Sequence, residues 1–341
     1  MRAMIAMSGG VDSSVAALLT MEQGYSCIGA TMHLHDSACA EDAAAVANRL
    51  GIPFYEFDAL DEFARQVKDK FVRCYEQGGT PNPCIDCNQY LKFGRLLDIA
   101  LQMDCDRIVT GHYAKITHDP VTGRHLLQKA ADEGKDQSYF LCRLSQHQLR
   151  HTLFPLGTLT KAQVRVIAEE NGFLNAKKRD SQDICFVPDG DYMEFLRSYT
   201  GKKYPCGAFL DTAGNVVGLH RGAVAYTIGQ RKGLGLAMGE PVYVCCKDMT
   251  ANTVTVGTND TLFTRQLRAN DWNWISIENL TQPLRCKAKA RSRMVEQPAT
   301  VYPEENGFAR VVFDEPQRAI TPGQAVALYD GDTVIGGGTI V

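Results

Sequence analysis

The stretch Ala6–Ser13 (Ala-Met-Ser-Gly-Gly-Val-Asp-Ser) has the residue types of a phosphate-binding loop. Gly9 and Gly10 let the backbone approach an anion closely, and Ser8 and Ser13 add hydroxyl donors. The apolar run before the loop predicts a buried strand, and the Ala- and Leu-rich run after it predicts a helix whose first amides point at the anion. The loop lacks the Gly-Lys-Ser/Thr ending of a Walker A site, so a kinase-like grip on a γ-phosphate is not indicated.

Two cysteines three residues apart, Cys84 and Cys87, follow the run Pro81-Asn-Pro83. The prolines stiffen the approach, so we expect both thiols on a fixed loop at the start of a helix. A helix N-terminus lowers thiol pKa and favours the reactive thiolate. Structural zinc would need a second close pair, and Cys245-Cys246 has the wrong spacing. The spacing therefore favours a redox, sulfur-handling or iron–sulfur role, with a bystander pair or half of a zinc site as the alternatives.

Cys185 lies on a basic, polar loop after Lys177, Lys178 and Arg179. Nearby cations would stabilise its thiolate, while the carboxylates at positions 180 and 183 act in the opposite direction. Alone this loop is a weak signal. Its value is a third thiol that could meet Cys84 and Cys87 at one crevice.

Every second residue is basic between positions 285 and 293. On a strand these side chains share one face: Arg285, Lys287, Lys289, Arg291 and Arg293. Five like charges repel each other unless a polyanion covers them, and a merely solvated face usually shows mixed signs. The pattern therefore favours binding to a phosphate backbone. Other cations could extend this track: Lys135, Lys177, Lys178, Arg179, Arg231 and Lys232.

The elements that must position these residues alternate between strand and helix up to about residue 111. The predicted strands cover 26–33, 54–57 and 107–110, and the predicted helices cover 41–50, 60–76 and 91–103. This alternation predicts a doubly wound parallel sheet of the α/β class. Ligands of such sheets bind beyond the C-terminal ends of the strands. Ser8–Gly10, Met32 and Gly111-His112 should therefore surround one crevice.

The rest of the chain predicts a hairpin over 114–130, helices at 145–153, 160–171 and 190–199, and then only short strands. We predict three domains: residues 1–203 for nucleotide binding and catalysis, 204–267 as a small β domain, and 268–341 as a β-barrel. The predicted strands of the last two are 208–210, 216–219, 243–246, 253–256, 272–277, 284–293, 299–301, 309–313, 325–329 and 334–340.

The composition is that of an ordinary soluble protein of 341 residues with two or three domains. Its net charge of −3 gives no general attraction to nucleic acid, so RNA binding must come from local patches. Nothing reaches a membrane-spanning length or predicts a signal peptide, so we expect a cytoplasmic protein without a membrane partner. Twelve cysteines without a compact disulfide framework suggest a few reactive thiols among buried ones. The expected core cysteines are Cys27, Cys74, Cys105 and Cys142.

With these residues in hand, the sequence closely resembles the bacterial tRNA-specific 2-thiouridylase family, within the PP-loop ATP pyrophosphatases. The resemblance covers essentially the whole chain, and several motifs in order are more specific than any one. They are Ser8-Gly-Gly-Val-Asp-Ser13, Pro81-Asn-Pro83 with Cys87-Asn88, Thr110-Gly-His-Tyr-Ala114, Lys135-Asp-Gln-Ser-Tyr-Phe-Leu141, Phe154-Pro-Leu-Gly157, Ile184-Cys-Phe186, Tyr226-Thr-Ile-Gly-Gln-Arg231, Glu315-Pro-Gln-Arg-Ala-Ile-Thr-Pro-Gly-Gln324 and Gly336-Gly-Gly338.

This resemblance implies ATP-dependent replacement of the C2 oxygen of a tRNA wobble uridine by sulfur, through an adenylated uridine. We expect magnesium to neutralise the ATP phosphates, and we also expect a persulfide sulfur donor protein as a partner and a monomeric enzyme. ATP would be held by Ala6, Met7, Ser8, Gly9, Gly10, Val11, Asp12, Ser13, Met32 (beside the adenine) and Gly111. Asn82, Pro83 and Cys84 would face the target base, which must be extruded from its loop. Contacts to tRNA would come from His112, Lys135, Asp136, Gln137, Arg291, Ser292 and Gln324. Cys185 would carry sulfur as a persulfide and Cys87 would assist its release; the two could also form a disulfide.

Two positions depart from the family pattern. The best-known members carry Asp, thought to be a general acid/base or base contact, where this chain has Cys84; whether Asp86 could replace it is open. The change creates Cys84-x-x-Cys87, similar to tRNA thiolases that hold a four-iron four-sulfur cluster on three cysteines, so sulfide on a cluster held by Cys84, Cys87 and Cys185 is the alternative. Where many members have Thr-Gly before Ile-Cys, this chain has Gln182-Asp183, which adds negative charge near Cys185.

Two other function classes remain open from the sequence. One is another PP-loop adenylating synthetase that makes an amide or a guanidine, as in GMP or argininosuccinate synthesis. It would need neither the three cysteines nor a basic β domain. The other is a non-catalytic tRNA-binding protein, which would not need an intact phosphate loop.

Overall fold

The computed structural model describes residues 1–34, 39–173, 175–176, 184–187 and 189–341. The predicted cations Lys177, Lys178 and Arg179, and the carboxylates Asp180 and Asp183, lie outside the described residues. Within the described part of the chain, no helix is long and apolar enough to cross a membrane.

A five-stranded parallel sheet forms the centre of the N-terminal half, as predicted. In spatial order its strands are Phe54–Asp58, Ser26–His33, Arg2–Ala6, Arg107–Val109 and Thr152–Leu153. Successive strands extend first to one side of Arg2–Ala6, and then the chain crosses to the other side. Arg2–Ala6 is therefore the point where the strand order reverses, which is where open α/β sheets bind ligands.

Apolar helices cover both faces of this sheet. One face packs against the helices Val11–Glu22, Cys39–Leu50 and Lys161–Glu170, with Val15, Ala47 and Val164 in the shared core. The opposite face packs against Leu96 and Leu97. Three further helices are Ser138–Leu141, Gln146–Arg150 and Tyr192–Thr200.

Two helices contain π-helical segments, one of which changes the placement of the cysteine pair. The first helix runs Leu60–Phe63, Ala64–Lys68 (π) and Asp69–Glu76. The second runs Pro83–Asp86, Cys87–Arg95 (π) and Leu96–Gln102. The predicted start at residue 91 was wrong, because Pro83 has the φ angle that begins a helix. Cys84 and Cys87 therefore lie within the first turns of the helix, and not on a loop before it.

The predicted hairpin forms from Lys115–His118 and His125–Gln128. Its second strand continues the sheet of the C-terminal barrel through the pair Gln128 and Thr333. One sheet therefore runs from the N-terminal domain into the barrel.

The middle of the chain forms a four-stranded sheet, as expected. Its strands are Gly207–Leu210, Val216–His220, Tyr243–Asp248 and Thr253–Gly257, with Gly207–Leu210 between the second and the fourth. Phe209, Val244 and Val254 fill its core.

The C-terminal strands close into a six-stranded barrel. They are Phe263–Trp274, Leu284–Lys289, Gln297–Pro303, Ala309–Arg318, Ala325–Asp330 and Thr333–Ile340, and the first pairs with the last. The first strand begins at Phe263, nine residues before the predicted start at 272. The prediction missed this part because bulges interrupt the alternating pattern by which a strand is recognised. The barrel interior is apolar, with Val301, Val311 and Leu328 fully buried.

Candidate functional site

The phosphate loop (Ala6–Ser13) joins the central strand to the helix Val11–Glu22, as the sequence predicted. Gly9 has φ +68°, a left-handed conformation that glycine adopts without strain. Gly10 is the N-cap residue and offers no side-chain cap, so the first amides of the helix remain for an anion. The Ser13 hydroxyl accepts from the Ser8 amide at 3.3 Å and donates to the Gly10 carbonyl at 3.0 Å. These contacts hold the loop in an anion-binding shape.

Asp12, in the first turn of that helix, is held by two residues that the sequence analysis missed. The Lys161 ammonium lies 2.8 Å from both carboxylate oxygens, and the Tyr113 hydroxyl donates to one of them at 2.7 Å. Lys161 is 8% exposed and is the first residue of its own helix, where the helix dipole disfavours a cation. A lysine directly after the N-cap Thr160 was the signal that could have revealed it.

Two further contacts fix the loop to its surroundings. The Asn175 side-chain amide donates to the Gly9 carbonyl and the Ser14 hydroxyl, both at 3.0 Å. A Cβ on Gly111 would lie 2.7–2.8 Å from atoms of Asp12 and Ser13, so only glycine fits there. The predicted neighbourhood of Gly111 and the loop is confirmed. No sequence signal marked Asn175.

Met32 is the penultimate residue of the neighbouring strand and packs, partly buried, against the apolar cluster that includes Phe63 and Leu91. It lies at the C-terminal end of the sheet, where the sequence placed it.

The three predicted thiols lie close to one another, although the expected lowering of the pKa of Cys84 and Cys87 by the helix N-terminus was wrong. Burial raises the pKa of the Cys87 thiol to about 12. Cys84 and Cys185 reach solvent, yet the surrounding protein desolvates both thiols and raises their pKa as well. The charges of Cys84 and Cys185 raise the pKa of Cys87, and the charge of Cys84 raises that of Cys185, as expected of neighbouring groups. Because desolvation outweighs the helix dipole, all three are protonated at neutral pH.

Lys92 is the cation that this thiol cluster (Cys84, Cys87 and Cys185) shares. Its charge lowers the pKa of all three thiols, against the larger effect of burial. The π-helical segment that contains both Cys87 and Lys92 bonds residue i to residue i+5, which stacks these two positions on one side of the helix. Asp86 instead pairs with Lys70 at 3.4 Å, and burial raises the pKa of its carboxyl group.

The thiol cluster is not arranged as a metal site. Among the described residues, no three His, Cys, Asp or Glu side chains are placed to hold a metal ion. Cys87 and Cys185 are both free thiols, so their disulfide stays a prediction. An open cavity of about 660 Å³ is lined by none of the predicted site residues; its lining is His118, Gly123, His125, Gln146, His147 and Arg150.

His112 connects the phosphate loop to the thiol cluster. It follows Gly111, is 8% exposed, and packs against the rings of Phe93 and Phe154. Burial, with a smaller effect of Lys92, holds its pKa well below the usual range, so the imidazole is neutral. Its Nδ1 shares a 2.7 Å hydrogen bond with the Thr110 hydroxyl.

Asp136 and Gln137, predicted to contact tRNA, have internal partners here. Asp136 accepts from the Ala130 amide and from the Ser138 amide and hydroxyl. The Gln137 side-chain oxygen accepts from the Tyr113 backbone amide at 2.9 Å. The Gln137 backbone amide donates to the Tyr113 carbonyl, also at 2.9 Å. Gln137 therefore fixes Tyr113, the residue after His112, while Asp136 fixes its own segment between Ala130 and Ser138.

The prediction of five unpaired cations on one strand face was wrong. The strand ends at Lys289, so only Arg285, Lys287 and Lys289 share its outer face. Arg285 makes two hydrogen bonds to Asp314, at 2.6 and 2.5 Å. The alternation of basic residues continues in the sequence beyond Lys289, where the strand ends, so it predicted too long a strand. The pairing of Arg285 with Asp314, on another strand, leaves no signal in the sequence.

Arg291 lies beyond the strand and joins two domains. Its guanidinium donates to the Ile228 carbonyl in the middle domain, and to the Ala319 carbonyl and Thr321 hydroxyl in the barrel. Ser292, next to it, lies in the following turn and is half-buried.

The Thr80–Pro83 loop, which leads into the cysteine helix, contacts the barrel. Gln324 donates to two of its carbonyls. Asn82, Pro83 and Cys84 lie at the start of the cysteine helix, and their contact with the target base stays a prediction.

Three family models match consecutive parts of the chain. They are described as a tRNA methyl transferase HUP domain (residues 1–189), a tRNA methyl transferase PRC-barrel domain (193–258) and an aminomethyltransferase β-barrel domain (264–340).

Three curated relatives match the chain over almost its whole length. A tRNA-specific 2-thiouridylase MnmA of Acetivibrio thermocellus is 49% identical over 354 residues, covering 99% of both chains. The protein of the same name from Symbiobacterium thermophilum is 50% identical over 357 residues, covering 99% of this chain and 92% of the relative. That of Clostridioides difficile is 47% identical over 352 residues, covering 99% and 98%.

Proposed function

Because this chain belongs to the tRNA-specific 2-thiouridylase family, we propose that it replaces the C2 oxygen of a tRNA wobble uridine by sulfur at the expense of ATP. The observation that carries this proposal is the Gly111-His112 pair. Gly111 packs against the phosphate loop, and the His112 ring packs against Phe93, which lies in the same helical segment as Cys87 and Lys92. A site that binds phosphates and a site that delivers sulfur therefore adjoin.

The first chemical step is adenylation of the uridine. Its C2 oxygen attacks the α-phosphate of ATP, an O–P bond forms, and pyrophosphate leaves. The phosphate loop amides and the Ser8 and Ser13 hydroxyls stabilise the negative charge that develops on the leaving group. ATP enters as its magnesium complex, and the magnesium is part of this substrate. Adenylation is needed because a uridine carbonyl oxygen is by itself a poor leaving group.

The second step transfers sulfur. A persulfide donor protein first places a sulfur on Cys185, and the terminal sulfur of that persulfide attacks C2. The C2–O bond then breaks and AMP departs with the oxygen. Cys87 attacks the Cys185 sulfur and breaks the S–S bond, which leaves 2-thiouridine and a Cys87–Cys185 disulfide. A cellular dithiol must reduce this disulfide before the next turnover.

The residue roles in this proposal follow the sequence analysis. The phosphate loop, Met32 and Gly111 bind ATP; Asn82, Pro83 and Cys84 face the base. His112, Lys135, Asp136, Gln137, Arg291, Ser292 and Gln324 support the bound tRNA, several of them through the internal contacts described above. The enzyme acts as a monomer.

The cluster-based alternative has less support. The thiol cluster is not placed to ligate a metal among the described residues, so we derive no step through an iron–sulfur cluster. Anaerobic purification with an iron count tests this choice. Full activity of the metal-free wild type with a persulfide donor supports the persulfide route, while iron that is lost in Cys84→Ala contradicts it.

The decisive assay is nucleoside mass spectrometry of unmodified tRNA after incubation with the enzyme, ATP and a persulfide donor. We expect 2-thiouridine with the wild type and none with Cys185→Ser. Retained ATP turnover by Cys185→Ser, without thiolation by either protein, would favour another adenylating synthetase. Methylated uridine formed from S-adenosylmethionine without ATP would overturn the proposal in favour of the methyl transfer named by two family models.

A further inference from the structure

A turn of the barrel holds the loop that presents the target-base residues. The Gln324 side-chain amide donates to the Thr80 carbonyl at 2.8 Å and to the Pro81 carbonyl at 3.2 Å. In the opposite direction, the Thr80 amide donates to the Pro322 carbonyl at 2.8 Å. These three hydrogen bonds join residues more than 240 positions apart in the chain.

The Thr80–Pro83 loop needs such an external donor. Two of its four residues are prolines, which have no N–H group, so the loop has few amides with which to make its own turn. Its carbonyls must be satisfied by other groups, and Gln324 satisfies two of them. Pro83, at the end of the loop, is also the first residue of the helix that carries Cys84 and Cys87.

The fit at this contact is tight. A Cβ on Gly323 would lie 2.3 Å from the Cys74 sulfur and 3.0 Å from the Thr80 amide nitrogen. A Cβ on Gly79 would lie 3.0 Å from the Pro322 carbonyl oxygen. Next to this contact, the Tyr139 hydroxyl donates to the Ala325 carbonyl of the same barrel segment at 2.9 Å. The barrel segment Pro322–Ala325 and the loop therefore form one rigid joint.

We propose that Gln324 is a positioning residue for sulfur transfer, which fixes the Thr80–Pro83 loop and through it the start of the cysteine helix. Both hydrogens of its amide are used by the loop, so its donor group is not free to bind RNA. Through this contact the barrel sets where the extruded base meets Asn82–Cys84. The inference rests on the proposed function, which names the reaction that this geometry serves.

The test compares Gln324→Met, which keeps the length of the side chain but removes the donor, with Gln297→Met. Gln297 donates to the Val295 carbonyl within the barrel itself and is a matched control. Hydrogen–deuterium exchange of peptides covering residues 79–86 is measured on the full-length protein without substrates. We expect these peptides to exchange several-fold faster in Gln324→Met than in the wild type. In Gln297→Met their exchange rate should be unchanged.

Steady-state thiolation supplies the second measurement. We expect Gln324→Met to lower kcat by roughly 10- to 100-fold, as misplacement of a reacting group does, with KM for tRNA within about twofold. Unchanged exchange together with a raised KM and normal kcat would overturn the inference and make Gln324 an RNA contact. Because exchange needs no substrate, failure of the wild type to thiolate tRNA would refute the proposed function without affecting the exchange test.

Discussion

At the scale of single residues, the site is set by a few charged side chains held in poorly solvated positions. Lys161 places a cation against the phosphate loop through Asp12, and Lys92 places another beside the thiol cluster. A buried charge depends on its partner, because removing one member leaves the other desolvated and unpaired. In the proposed reaction, Lys161 belongs to the adenylation step and Lys92 to the sulfur transfer, so variants of the two should affect different steps.

Lys161→Met leaves the Asp12 carboxylate without its cation. We expect the variant to lose roughly 1–3 kcal/mol of unfolding free energy. Its KM for ATP should rise about 10-fold, because the misplaced carboxylate repels the phosphates. Denaturant unfolding and ATP–pyrophosphate exchange in the presence of tRNA measure the two effects. Lys202→Met is the control, because Lys202 is exposed and solvent screens its pair with Glu76, so its loss should leave stability almost unchanged. If Lys161→Met and Lys202→Met had equal effects, the role of Lys161 in holding Asp12 at the phosphate loop would be contradicted.

The raised thiol pKa values predict a pH dependence. Cys87, with a pKa of about 12 in place of 9.0, is protonated in the folded state well above pH 9. Its alkylation by iodoacetamide, followed by peptide mass spectrometry, should therefore keep rising up to pH 10 without a plateau. The stability that this thiol contributes is complete below pH 9 and is lost as the pH rises toward 12. If the alkylation rate instead reached a plateau near pH 7, Cys87 would already be a thiolate there, and burial would not raise its pKa.

Lys92→Met should slow alkylation of Cys84, Cys87 and Cys185 several-fold at fixed pH, because the cation that lowers each pKa is gone. Arg95→Met is the matched control on the same π-helical segment, since Arg95 pairs with Glu62 at 3.3 Å. If alkylation of the three thiols slowed equally in both variants, the cause would be a general change of the helix and not the charge of Lys92.

At the scale of elements, the site is built where strand ends, helix starts and close backbone contacts meet. The alternating pattern predicted the parallel sheet, the phosphate loop and the hairpin, because each depends on local residue types. Pro83 was a local signal for the start of the cysteine helix that the prediction did not use. Local patterns could not show that the basic strand ends at Lys289. They also could not show burial around the thiols, which depends on residues far apart in the chain and reverses the expected pKa shift.

Gly111→Ala tests the contact between two elements of the site. The added Cβ would meet backbone atoms of Asp12 and Ser13 at 2.7–2.8 Å, so the phosphate loop must move. We expect ATP–pyrophosphate exchange to fall by roughly 100-fold, the loss that misplacing reacting groups by about 1 Å produces. Gly123→Ala, in the open hairpin turn at φ +70°, meets no atom within 4 Å and should retain exchange despite a backbone strain of about 1 kcal/mol. Normal exchange by Gly111→Ala would contradict the contact.

At the scale of the whole molecule, the three folded parts are joined by specific polar contacts. The hairpin of the first domain extends the barrel sheet, Gln324 holds the Thr80–Pro83 loop, and Arg291 links the middle domain to the barrel. Arg291 was predicted as an RNA contact from its charge. Its partly buried hydrogen bonds to the Ile228 and Ala319 carbonyls show that it also joins two domains, which no single-sequence pattern indicates.

Arg291→Met should destabilise this joint. Loss of the charge-assisted hydrogen bonds to Ile228, Ala319 and Thr321 should cost roughly 2–4 kcal/mol and expose the boundary between the two domains to proteolysis. Arg293→Met is the control, because Arg293 is exposed on the same turn. Thermal unfolding and limited trypsin digestion measure the difference; equal stability of the two variants would refute the joint.

The central claim is that ATP activates the uridine oxygen itself. The direct test uses tRNA that carries ¹⁸O at C2 of the wobble uridine, followed by mass spectrometry of the nucleotide products after one turnover. If adenylation precedes sulfur transfer, the label appears in the phosphate of AMP in an amount equal to the 2-thiouridine formed. Label found in inorganic phosphate or in water, with none in AMP, would contradict the account.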